Sequence, residues 1–178
     1  MRERGVDAVT IQDITEAADV GHGTFYLHFQ NKAEVLRPVV EHLAMCIHER
    51  VDRATEGDSD PAFRLASGIR IALQSIYRDP IWNWYVFRSG TPYRRLAEGM
   101  GAPPSEDMAR GIATGRFLVP DLPTTWIFID SAIIGVLSAR EDKALGEQSA
   151  EITAELVLRS LGIAPEEAAQ LARRPVAD

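Results

Sequence analysis

The densest chemistry in this 178-residue chain lies in nine positions, Thr24–Lys32, which read TFYLHFQNK. A hydroxyl, a phenol, an imidazole and an ammonium can each donate a hydrogen bond to a phosphate oxygen. Phe25 and Phe29 are four apart, so on a helix they share one face, which suits a core. Thr24 and His28 are also four apart, on a neighbouring face, with Tyr26 further round. His22, Gly23 and Thr24 would stand at the start of that helix, where base edges are usually reached. Catalytic chemistry is not visible. No nucleophile with a base, carboxylate pair, metal cluster or phosphate loop occurs at usable spacing, and GHGTF is too short for a dinucleotide fingerprint and follows no strand. His42 and Cys46 share a face at i,i+4, and His48 lies off it, which leaves too few ligands for a metal. No catalytic residue, metal or cofactor is therefore expected.

Helices must position these residues, because apolar residues recur at helical spacing and no run of β-branched alternation reads as a strand. TIQDITEAA begins with Thr10, a good N-cap, and puts Ile11, Ile14, Ala17 and Ala18 on one face. Asp19–Gly23 (DVGHG) suits a turn. A short helix then runs from about His22 or Gly23 to His28. Asn31 is placed to cap a long third helix, with Glu34 in its first turn. Pro61 opens the next helix and RDP closes it at about Tyr77. Gly90 to Pro104 is loop-rich. SEDMARGIATGRF, LPTTWIFIDSAIIGVLSARE, SAEITAELVLRSL and APEEAAQLARR supply four more helices, the third ended by Gly162. The fold expected is all-α. A helix-turn-helix unit at 1–37 precedes a larger helical ligand-binding and dimerisation domain at 38–178.

The totals fit an ordinary globular protein, with 46% hydrophobic and 25% charged residues. One cysteine, Cys46, cannot form an internal disulfide. MRERGVDAVT has no apolar run of the signal-peptide kind, and Trp126–Leu137 is short for a membrane span and contains Asp130. A cytoplasmic protein without membrane contact is expected. The net charge of -7 argues against non-specific binding to nucleic acid. The first 37 residues, with four basic and six acidic side chains, are not basic either.

Helix, tight turn and short helix make a helix-turn-helix, whose second helix enters the major groove. Thr10–Leu36, TIQDITEAADVGHGTFYLHFQNKAEVL, resembles the DNA-binding segment of the tetracycline-repressor (TetR) family. That family typically shows a Thr-capped helix, an A-G-V-S turn and then G-T-x-Y-x-H-F-x-N-K. MARGIATGRF is similar to a short helix and turn found before the family's last two long helices. The resemblance implies an all-helical homodimer that binds a palindromic operator in double-stranded DNA as a repressor and releases it when a small molecule enters the larger domain. It implies DNA contacts by Thr10, Thr24, Tyr26, His28 and Lys32, with His22 and Gly23 at the base edges. Lys32 would add a solvated ammonium to the phosphate-binding N-terminus of the third helix. Asp19 stands where the family has Gly, and Gly21 where it has a Ser cap. Only MRERG stands for the family's full first helix, so the first helix is read as truncated, with Ile11, Ile14 and Phe29 partly exposed.

Trp82, Trp84, Tyr85, Phe87, Tyr93, Phe117 and Trp126 form an aromatic set. With Arg88, Asn83 or Gln74 as polar groups they could line an effector pocket for an apolar or aromatic ligand, and plain core is equally consistent. Trp126–Leu137 is apolar nearly all round, so one side can fill the protomer and the other can meet a twin. Ile127, Ile134, Gly135 and Leu137, with Leu156 and Val157 of the next helix, are expected in a four-helix homodimer interface. Two functions remain open on the sequence: a ligand-responsive DNA-binding regulator, or a helical small-molecule-binding dimer (less favoured, a helical enzyme) without working DNA binding.

Overall fold

The computed structural model describes residues 6–87 and 106–176, and every regular element in them is a helix. In chain order these are α1 (Ile11–Ala17), α2 (His22–His28), α3 (Lys32–Ala54), α4 (Pro61–Arg78), α5 (Pro80–Phe87), α6 (Glu106–Ala113), α7 (Leu122–Glu141), α8 (Ser149–Ser160) and α9 (Pro165–Arg173).

The helix starts follow local chemistry. Thr10 caps α1 in a reciprocal box: its hydroxyl accepts from the Asp13 N–H at 3.1 Å, and the Asp13 carboxylate accepts from the Thr10 N–H at 2.7 Å. Asn31 and Asp121 accept from the N–H three residues on, and Asp60 accepts from the Ala62 N–H ahead of Pro61. Asp19, where the TetR pattern has Gly, does adopt the left-handed conformation, with φ of 52°. Gly162 ends α8 with φ of 87°. α3 runs unbroken past residues 37 and 38, with Pro38 inside it, so the expected domain boundary falls within a helix.

α4 is the hub. Pro61, Ala62, Phe63, Ala66, Ser67, Ile69, Ile71, Leu73 and Ile76 are buried, which leaves little of its circumference for solvent. It packs against α3, α5, α6, α7, α8 and α9. α6 ends in a tight turn in which the Phe117 ring lies on Gly111. A Cβ at Gly111 would come within 2.1 Å of that ring. α7, taken whole, is long and apolar enough to cross a membrane by length and composition, with a mean hydropathy of 1.5. The shorter stretch weighed in the sequence did not reach that length. Of the three charged residues of α7, Asp130 and Arg140 are nevertheless buried against the protein, and Glu141 at its end is exposed.

Candidate DNA-binding site

α1 and α2 pack on each other through a turn of four residues, Ala18–Gly21. Phe25 is buried and its ring lies 5.6 Å from that of Phe29. Ile11, Ile14 and Phe29 are half-buried, as expected. The opposite side of α2 presents His22, Gly23, Thr24, Tyr26 and His28 to solvent. The His22 and Tyr26 rings meet edge to face at 5.4 Å, which orders two potential contacts together. Leu27, to which the sequence assigned no role, is 81% exposed on the same helix. Thr10 is exposed, but its hydroxyl is engaged by Asp13, accepting from the N–H and donating to the carboxylate at 2.6 Å.

Lys32 differs from expectation. It is half-buried rather than solvated, and its ammonium donates to the carbonyls of Val6 at 2.8 Å, Asp7 at 3.3 Å and Val9 at 2.9 Å. An ammonium has three N–H donors, so all are committed to the segment before α1. Spacing gave no sign of this, because the partners lie 23 to 26 residues away. Trp84 ties the same segment to the body of the protein. Its indole N–H donates to the Asp7 carboxylate at 2.7 Å.

Residues 1–39 match the family model "Bacterial regulatory proteins, tetR family", and residues 60–174 match "Tetracyclin repressor-like, C-terminal domain". The chain belongs to the TetR family. It is a DNA-binding transcriptional regulator rather than an enzyme. The transcriptional regulator AcuR of Cereibacter sphaeroides is 29% identical over 167 residues, which span 89% of this chain and 73% of AcuR. The crystal structure of RolR without ligand superposes with a TM-score of 0.85 at 30% identity, covering 100% of this chain and 93% of RolR. RolR in complex with resorcinol gives 0.84 at 30% identity, covering 100% and 89%.

In this TetR protein the aromatic set expected around an effector is divided. Trp82 and Phe117 are fully buried in the core, while Trp84 and Trp126 pack at its edge, half-buried. The Tyr85 side chain, Arg88 and Tyr93 lie outside the described residues. Asn83 donates to the Glu141 carboxylate at 2.8 Å, and Gln74 lines a cavity between α3, α4 and the chain after α9 that none of the aromatic set lines. Asp130 was not singled out as a site residue. It is buried on α7, and desolvation pushes its carboxyl up to about 6. Arg140, also buried, stacks its guanidinium 4.2 Å over the Tyr77 ring.

The expected dimer residues separate in the same way. Ile127, Gly135 and Leu156 are exposed and Ile134 is half-buried, whereas Leu137 and Val157 are each 1% exposed inside the protomer. Those two are corrected to the protomer core, since they sit on the inward sides of α7 and α8. Phe128 and Ile152, at 56% and 48% exposure, extend the outward apolar face instead.

Proposed function

We propose that this regulator is a repressor that binds a palindromic operator as a homodimer and is released by a small apolar or aromatic ligand. The observation that carries the reading is α2, with a buried Phe25 beneath an exposed face of His22, Gly23, Thr24, Tyr26 and His28. In this reading His22, Gly23 and Thr24 meet base edges, and Tyr26 and His28 hold phosphates. Leu27 adds an apolar contact of the kind that recognises a thymine methyl. Thr10 and Lys32 approach phosphate through helix N-termini, with their side chains holding those termini in place. The exposed face of Ile127, Phe128, Ile152 and Leu156 supports the homodimer, because exposed apolar residues of this size mark an interface. The effector reading rests on the RolR complex with resorcinol and on the half-buried Trp84 and Trp126.

Selection of genomic fragments by the purified protein tests the proposal. A short palindrome should be enriched, with affinity falling steeply as salt rises. Enrichment of single, unpaired half-sites would remove the dimer from the reading, and no enrichment would remove the operator.

A further inference from the structure

One cavity outside the α1–α2 unit is lined by cations. It has a volume of about 450 Å³ between α3, α4 and the chain after α9. Arg50 and Arg53 face it from α3, and Arg70 and Ile71 from α4. Pro175 and Val176 form the third wall. Three guanidiniums on one cavity repel one another, in a chain with 26 acidic and 19 basic residues. Neighbouring arginines are neutralised: Arg64 by Asp52 and Asp107, Arg116 by Asp60 and Glu167, Arg174 by Asp58. Among the described residues no carboxylate pairs with Arg50, Arg53 or Arg70.

Their hydrogen bonds fix the groups without satisfying them. Arg50 donates to the Ser75 hydroxyl at 2.8 Å, Arg53 to the Glu49 carbonyl at 3.3 Å and Arg70 to the Arg174 carbonyl at 2.6 Å. Each guanidinium has five N–H donors, so most stay available. The Arg70 Nε is buried and makes no hydrogen bond. That atom is closed off from the cavity, and the donors an oxyanion can reach are the exposed guanidinium N–H groups of Arg50 and Arg53.

We propose that this cavity binds a small organic polyanion, a di- or tricarboxylate or a phosphate ester. Its oxyanion groups are gripped by Arg50 and Arg53, with the Arg70 charge beside them, and its short apolar part lies on Ile71, Pro175 and Val176. The ligand is not an operator phosphate. Arg50 is 18 residues beyond Lys32 on α3, roughly 27 Å away at 1.5 Å per residue. The site is also separate from the aromatic set of α5, none of which lines it.

The test is thermal melting with citrate or inorganic phosphate at constant ionic strength, with sodium chloride as the reference and Arg53→Gln/Arg70→Gln beside the wild type. At an anion concentration 100 times Kd the wild-type Tm should rise by roughly 5–10 °C. The double variant should show no such rise. Phosphate alone acting would indicate a phosphate ester, and citrate alone a polycarboxylate. Without either anion, Arg53→Gln alone should melt no lower than the wild type, since it relieves repulsion at an exposed side chain. That single variant also carries the anion comparison if the double variant does not fold. Equal shifts in wild type and variant, or no shift in either, would overturn the proposal.

Discussion

Lys32 shows how one side chain can be misread from its neighbours. In NKAEVL it stands at a helix start beside a run of phosphate-competent groups, and a solvated cation is the natural expectation. Its three bonds to the carbonyls of residues 6, 7 and 9 make it a clamp on the segment leading into α1. Charge-assisted bonds of this kind each contribute about 1.5–3 kcal/mol, and part-exposed ones together much less than their sum. Lys32→Ala should therefore cost about 2 kcal/mol in urea unfolding and weaken operator binding. The slope of log K against log salt separates the two roles. It should stay as in the wild type, whereas loss of a phosphate contact would flatten it by about one unit. Asp130 gives a second expectation at this scale. Burial raises its carboxyl to about 6, above the unfolded value of 3.8. The folded state then holds the proton more tightly, so its contribution to stability falls as pH rises between those two values. Asp130→Asn should match the wild type below pH 4 and be the more stable protein at pH 8. A variant that is no more stable at pH 8 would mean that the charged form is well solvated.

The helices themselves were largely legible. Thr10, Asn31, Pro61 and Gly162 mark element ends by chemistry that acts within four residues, and the structure puts the ends there. Asp19 marked the turn for the same reason, and its φ of 52° bears this out. What separates elements in sequence but joins them in space was not legible. Leu137 and Ile134 look alike on an all-round apolar helix, and only the packing of α4 and α8 on α7 decides which is buried. The arginine cavity joins three segments that no local pattern connects. Trp84 is a case with consequences, because its indole N–H holds Asp7, 77 residues away, a bond no local pattern signals. This bond connects α5 to the segment that Lys32 clamps, and so to the α1–α2 unit. Trp84→Phe keeps the ring system apolar and removes the donor. Loss of one bond to a carboxylate, about 1 kcal/mol or a little more, should speed amide exchange in α1 and α2 by about 5-fold relative to α8. Unchanged exchange would show that Lys32 alone holds the segment.

At the scale of the whole molecule, one outward face is at odds with a lone protomer. Ile127 and Phe128 on α7 and Ile152 and Leu156 on α8 stay exposed, although α7 and α8 pack against each other and bury Ile129 and Leu137 of α7 and Ala154, Val157 and Leu158 of α8. Gly135, also exposed on α7, has open space around it for a close approach. A twofold partner would bury this face against its own copy, giving an isologous four-helix contact. The recognition helices gain from the same contact, because a palindromic site presents half-sites about 34–36 Å apart and only a joined pair can occupy both. Joining converts the second encounter into an intramolecular one at an effective concentration near the millimolar range. Ile127→Glu with Leu156→Glu puts two charges on the face without touching Leu137, Val157 or α2. The variant should run as a monomer in light scattering, keep the helical circular dichroism of the parent, and bind the operator at least about 100-fold more weakly. A single half-site should lose little affinity, since α2 is unaltered. Should the variant stay dimeric, the partner must sit elsewhere, and the apolar face of α7 and α8 would need another occupant.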